Sequence, residues 1–136
     1  MNRIGLGFDS HRFESGKPLM LAGVHVDYDR GLAGHSDGDA ALHALIDAML
    51  GAASLGDIGE MFPDTDPKWA GADSGKLTTE AVGQLAVMGW ELVNCDIVIV
   101  TESPKLGPYK EAMRERVADL LGVDAVSVGL KAKTAE

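Results

Sequence analysis

The sequence predicts a single two-layer α/β domain of the α+β kind, a mixed β-sheet with helices packed on one face. Three observations lead there. Runs of apolar and β-branched residues alternate with stretches of helical spacing. The 136 residues, 46% of them hydrophobic, suffice for one core but not for two ordinary domains. No repeat or linker divides residues 1–136. Helices on one face leave the other face without cover, which predicts an oligomer but does not fix the number of subunits.

The elements follow in chain order. Residues 3–8, RIGLGF, read as a short strand leading into the polar turn DSH, and PLMLAGVHVDY reads as two strands bent at Ala22 and Gly23. Gly31 to Gly34 open a loop. Ser36 or Asp37 is placed to cap the next segment, with Asp39 three residues after Ser36 returning the hydrogen bond. AALHALIDAMLGAA then has helical spacing, with Leu42, Leu45, Ile46, Met49, Leu50 and Ala53 on one face. LGDIGEMFPDTDPKW is rich in Gly, Asp and Pro and has no sustained period, so it is expected to be a shaped and functional loop. Ser74 to Met88 reads as a second helix, WELVNCDIVIVT as a strand, Tyr109 to Leu121 as a third helix and AVSVGLKA as a last strand.

Composition excludes several function classes. With 21 acidic against 12 basic side chains and a formal charge of -9, no nucleic-acid surface is expected, because phosphate backbones are held by clustered Lys and Arg. Cys95 is the only cysteine, so an intrachain disulfide is impossible; it reads as a small apolar strand residue in a reducing compartment. No stretch reaches the roughly 18 apolar residues of a membrane span, and the N-terminus lacks a signal-type apolar core. A soluble, cytoplasmic protein is expected, or a plastid one in a plant-type source.

Asp9 and His11 stand two apart in an extended segment, where alternate side chains point the same way, so a carboxylate and an imidazole converge on one point. His43 is a candidate third ligand, about 90° round from the middle of its helix's apolar face. Asp39 and Asp47 lie four residues to either side of His43, within reach of the ring's other N–H. Two nitrogens and a carboxylate suit zinc and leave its fourth position open. The same spacing is also met by a capping Asp9, an exposed His11 and a histidine at the edge of the core.

Two phosphate motifs are set aside. Gly71-Ala-Asp-Ser-Gly75-Lys76-Leu77 has three residues between its glycines and Leu after the lysine, where a P-loop has four and a hydroxyl. Gly5-x-Gly7 lacks the third dinucleotide glycine and a following helix. Ser36 at a helix N-terminus is a natural anion seat, though simple capping explains it as well. Lys105 and Lys133 read as solvated surface on the residues alone.

Several motifs in order carry a resemblance: Ile4-Gly-Leu-Gly-Phe-Asp-Ser-His11, His35-Ser-Asp-Gly-Asp-Ala-Ala-Leu-His43, Leu55-Gly-Asp-Ile-Gly59, Phe62-Pro-Asp-Thr-Asp-Pro67, Pro104-Lys105 and Lys131-Ala-Lys-Thr-Ala-Glu136. Together they resemble the 2-C-methyl-D-erythritol 2,4-cyclodiphosphate synthases of non-mevalonate isoprene biosynthesis. The resemblance implies a homotrimeric lyase with sites between subunits. It implies zinc on Asp9, His11 and His43, and a second ion, magnesium or manganese, on Glu136; of the two carboxylates spaced about His43, Asp47 is taken as the one behind it. The implied substrate, a cytidine diphosphate, is 4-diphosphocytidyl-2-C-methyl-D-erythritol 2-phosphate, cyclised with loss of cytidine monophosphate.

By the same resemblance His35 and Thr134 stabilise the transition state. Ser36, Asp57, Ile58, Gly59, Phe62, Pro63, Asp64, Thr65 and Asp66 line the erythritol side. Thr101, Glu102, Ser103, Pro104, Lys105, Leu106 and Gly107, with Ala132, Lys133, Thr134 and Ala135, hold the nucleotide. Ala135 departs from the family pattern, in which a polar side chain is common, so one hydrogen bond is expected to be lost. The family pattern continues past Glu136 with a Gly-rich turn, an Arg and a final strand, and without these an open sheet edge and a weaker phosphate pocket are expected. Two rivals remain: a phosphoesterase in which water is the nucleophile, and a binding module whose metal only holds a ligand or the fold.

Overall fold

The computed structural model describes residues Met1–Glu136. Two short antiparallel ladders open the chain. β1 (Phe13–Ser15) pairs with β4 (Arg30–Leu32), Phe13 opposite Leu32, and β2 (Leu19–Leu21) pairs with β3 (Val24–Val26), Leu19 opposite Val26. The bend between β2 and β3 is made by Ala22 and Gly23, at φ 50° and 75°, the left-handed pair that matches strand twist in a two-residue hairpin. Four helices follow: α1 (Ala40–Ala52), the single turn α2 (Ile58–Met61), α3 (Ser74–Val87) and α4 (Lys110–Leu121). β5 (Cys95–Val100) and β6 (Val128–Lys133) pair in parallel through the α4 crossover, Ile97 opposite Leu130.

The core follows from periodicity. Leu42, Leu45, Ile46, Met49 and Leu50 of α1 are buried together with Leu77, Ala81 and Leu85 of α3, Met113 and Val117 of α4, and Ile97 and Ile99 of β5. Arg114 fastens α4 to the strand beside it, its guanidinium donating to the Val128 and Ala125 carbonyls at 2.9 and 2.8 Å. α4 ends on Gly122 at φ 70°, a left-handed cap that glycine adopts without strain. No helix is long and apolar enough to cross a membrane.

The α+β class and the three long helices agree with the sequence reading; several local expectations do not. The expected mixed sheet is instead three separate two-stranded ladders, two antiparallel and one parallel. Residues 3–8 pair with no strand. Their alternation serves packing on α1: Gly5 and Gly7 press so closely on the helix that an added Cβ would overlap the carbonyl oxygens of Ala48 and Ala44. Ile4, Leu6 and Phe8 point the other way and are exposed, as are Val98 and Val100 on the alternate positions of β5. Residues 90–94, expected in the strand, are irregular, because the β-branched run begins only at Ile97. The loop expected over 55–69 contains α2 and a 3₁₀ turn at Pro67–Trp69, capped by Asp57 and Asp66 respectively.

A candidate metal centre in a surface cleft

α1 starts from Asp39, not from Ser36 or Asp37. The Asp39 carboxylate is 0% exposed and accepts the Leu42 N–H at 3.1 Å as helix cap, while also accepting the Ala22 and Gly23 N–H groups at 2.9 and 2.7 Å. One side chain therefore fixes the β2–β3 turn against the helix that carries His43. Burial pushes its carboxyl up to about 6, and the Gly23 N–H bond holds it from rising further.

Two chain segments bring the three donors together. The segment lying on α1 delivers Asp9 and His11, and the first turns of α1 deliver His43. One ligand atom from each lies within 4.8 Å of the others. Asp9 Oδ2 stands 3.2 Å from His43 Nδ1 and 3.3 Å from His11 Nδ1. His11 Nδ1 is buried without a hydrogen-bond partner, its approach to Asp9 failing hydrogen-bond geometry. A buried lone pair or N–H with nothing to bond to is costly unless another ligand completes it. The two rings lie 5.3 Å apart, tilted by 54°.

His43 is only 9% exposed, more deeply placed than the boundary position expected from the helical angle. Burial lowers its pKa, outweighing the Asp9 carboxylate that would raise it, so the ring is held neutral, as a metal ligand must be. Neither expected carboxylate touches its far side: Asp39 is occupied as described, and Asp47 accepts the Ile58 N–H at 2.7 Å. Asp47 thus anchors the start of α2, correcting its expected place behind His43. Nε2 of His43 instead meets Ser74 Oγ at 2.9 Å and Ser36 Oγ at 3.1 Å.

Above the three donors opens a cleft of about 390 Å³, lined by Asp9, His11, His35, Ser36, His43, Ile58, Gly59, Phe62, Pro63, Asp64, Trp69 and Leu77. Phe62 and Trp69 meet edge to face at 4.9 Å and wall one side. Asp57, Thr65 and Asp66 do not line it; Asp57 and Asp66 spend their carboxylates as caps. The runs Thr101, Glu102, Ser103, Pro104, Lys105, Leu106, Gly107 and Ala132, Lys133, Thr134, Ala135, Glu136 lie outside it as well. They meet each other at the C-terminal ends of the parallel strands, where the Thr101 N–H donates to the Lys133 carbonyl at 2.9 Å. Ala135 there adopts φ 66°.

Sequence reasoning missed Ser74 and Asp37, as well as Trp69 and Leu77. Ser74 lies inside the Gly71–Lys76 run rejected as a P-loop, and only the fold reveals that its hydroxyl faces a histidine 31 positions earlier.

This fold and cleft define a small α+β domain whose surface pocket is floored by a donor set suited to a divalent cation. Comparison with known proteins narrows the class. The chain belongs to the YgbB family, whose pattern it matches over residues 2–136. It is 58% identical over 133 residues to the 2-C-methyl-D-erythritol 2,4-cyclodiphosphate synthase of Symbiobacterium thermophilum, covering 98% of this chain and 85% of that protein. It is 53% identical over 134 residues to the synthase of the same name from Gemmatimonas aurantiaca, covering 98% and 81%. A solved 2C-methyl-D-erythritol-2,4-cyclodiphosphate synthase with CDP bound superposes with a TM-score of 0.92 at 44% identity, covering 98% of this chain and 89% of that one.

Proposed function

We propose that the chain catalyses cyclisation of 4-diphosphocytidyl-2-C-methyl-D-erythritol 2-phosphate to 2-C-methyl-D-erythritol 2,4-cyclodiphosphate, releasing cytidine monophosphate. The observation that carries this is the convergence of Asp9, His11 and His43 beneath a cleft shared with His35, Ser36 and the Ile58–Asp64 loop, in a chain matching the family over residues 2–136. The relatives' shared name specifies the product, and the CDP in the solved neighbour supports a cytidine nucleotide as the other half of the ligand.

The donor set fits zinc: two imidazoles, one carboxylate and room for a further ligand toward the cleft. Zinc bound there would act as a Lewis acid toward a phosphate oxygen. The remaining tasks belong to the chain. The 2-phosphate is already ionised near neutral pH, so no side chain has to remove a proton, and positioning with charge neutralisation becomes the main work. Ile58, Gly59, Phe62, Pro63 and Asp64 shape the erythritol side, with Asp57 and Asp66 fixing the loop as caps and Thr65 between them. His35 and Thr134 donate hydrogen bonds as the reacting phosphorus gains a fifth oxygen.

The nucleotide half of the site is assigned to 101–107 and 132–135, with Glu136 and the substrate phosphates holding magnesium or manganese. Those residues stand apart from the cleft of their own chain, which supports a site shared between copies in a homotrimer. The apolar side chains Ile4, Leu6, Phe8, Val98 and Val100, exposed on the side away from the helices, support the same assembly. A cytoplasmic location accords with a single, unpaired cysteine, as expected of a reducing compartment.

Incubation with the cytidylated substrate, followed by mass analysis, tests this reading. Cyclic diphosphate and cytidine monophosphate are expected, with no label from heavy-oxygen water. A labelled, ring-opened product would establish a phosphoesterase instead, and ligand binding without turnover would establish a binding module.

A further inference from the structure

We propose that Ser74 and Asp37 are positioning residues that lock His43 in the Nε2–H tautomer, leaving Nδ1 as its only ligating atom. The proposal rests on the reading of Asp9, His11 and His43 as the metal site and goes beyond it by naming what orients the third ligand. Ser74 is 0% exposed, and its Oγ is 2.9 Å from His43 Nε2. The same hydroxyl is hydrogen-bonded to Asp37 Oδ1. Asp37 Oδ1 also accepts the Asp39 N–H at 3.1 Å, and Oδ2 accepts the Ser74 N–H at 3.0 Å. The Asp37 N–H in turn donates to the Ala72 carbonyl at 3.1 Å, tying the two loops together.

Proton accounting then leaves one arrangement. A serine hydroxyl has one hydrogen and two lone pairs, and a carboxylate surrounded by donors can only accept. The Ser74 hydrogen therefore goes to Asp37, and a lone pair of Oγ faces His43. That contact is favourable only when Nε2 carries the proton; an unprotonated Nε2 would set two lone pairs against each other at 2.9 Å. Ser36 Oγ, 3.1 Å from Nε2 and 3.4 Å from Ser74 Oγ, sits beside the same N–H and takes a further hydrogen bond from the Gly38 N–H at 3.4 Å. With Nε2 committed, Nδ1 is the nitrogen left to a metal: it stands 3.2 Å from Asp9 Oδ2, where a shared cation relieves the contact between its lone pair and the carboxylate, a contact that without an ion only a proton on Nδ1 would relieve. Ser74 thus does through a hydroxyl what an outer carboxylate does directly in other histidine sites.

Two measurements test this. Long-range proton–nitrogen NMR on zinc-loaded, histidine-labelled protein is expected to report His43 with its proton on Nε2 and none on Nδ1; a proton on Nδ1, or none on Nε2, would overturn the proposal. Zinc affinity, measured by chelator competition, is expected to fall roughly ten- to hundred-fold in Ser74→Ala and to stay within a few-fold of wild type in Ser74→Thr, which keeps the hydroxyl. Wild-type affinity in a folded Ser74→Ala protein would overturn the proposal. The wild-type tautomer decides the matter even if neither variant folds. Failure of the wild-type protein to take up zinc would refute the metal reading alone, while an Nε2 without a proton in that metal-free sample would overturn the relay.

Discussion

Replacing Gly7 with alanine tests how the fold delivers Asp9 to the cleft. The added methyl would overlap the Ala44 carbonyl oxygen and stand 2.8 Å from both the Ala44 carbonyl carbon and the Ala48 nitrogen. Carbon is comfortable at about 3.5 Å from a neighbouring heavy atom, so the segment has to retreat from α1 by on the order of 1 Å. The obstacle is helix backbone, which cannot rotate aside as a side chain can. Overpacking of this kind costs about 1–3 kcal/mol. Asp9 follows two residues later, and metal sites tolerate shifts of only about 0.2 Å in a ligand distance, so zinc affinity is expected to fall about tenfold or more.

Gly51→Ala supplies the matched control. Gly51 lies within α1 and an added Cβ meets nothing within 4 Å, so alanine there is expected to stabilise by about 0.5–1 kcal/mol and to leave zinc binding unchanged. Urea unfolding and zinc titration of the two variants make the comparison. A Gly7→Ala protein matching wild type in both would refute the packing argument.

Other expectations follow from the same geometry. His43→Ala is expected to abolish the zinc-induced rise in unfolding free energy, which for the wild type reaches about 2.7 kcal/mol at a hundred times the dissociation constant; an equal rise in the variant would show that the ion binds elsewhere. Asp39 has a folded pKa of about 6 against 3.8, so the folded state holds its proton more tightly and the stability from this group is present below pH 3.8 and lost as pH rises through 6. Measured by urea unfolding, the stability advantage of wild type over Asp39→Asn is therefore expected to shrink by up to about 3 kcal/mol from pH 4 to 7, and parallel profiles would contradict the burial argument. Gly122→Ala, which forces a side chain to φ 70°, is expected to cost about 1 kcal/mol in thermal or chemical unfolding; no loss would mean that the α4 cap rearranges.

Residue pattern made the three long helices legible, because the spacing of Leu42, Ile46, Met49 and Leu50, and of Met113 and Val117, leaves one buried face. The β2–β3 hairpin was legible from the small residues at its bend. Alternation misled at residues 3–8, where Gly5 and Gly7 answer to a helix surface and not to a neighbouring strand. The Asp-x-His pair and His43 were legible as donors, since extended and helical geometry are local properties. What stands behind His43 was not, for Asp39 and Asp47 are near it in sequence but spend their carboxylates on the Ala22–Gly23 turn and on Ile58. The hydroxyl that does reach it comes from the start of α3, a contact created only when the loops before α1 and α3 pack together.

Zinc-edge X-ray absorption on protein loaded with one equivalent of the ion tests the metal site most directly. Asp9, His11 and His43 are expected to give a shell of two imidazole nitrogens and oxygen at about 2.0–2.2 Å, falling to one imidazole in His43→Ala. A shell without paired imidazoles, or one unchanged by that substitution, would contradict the assignment.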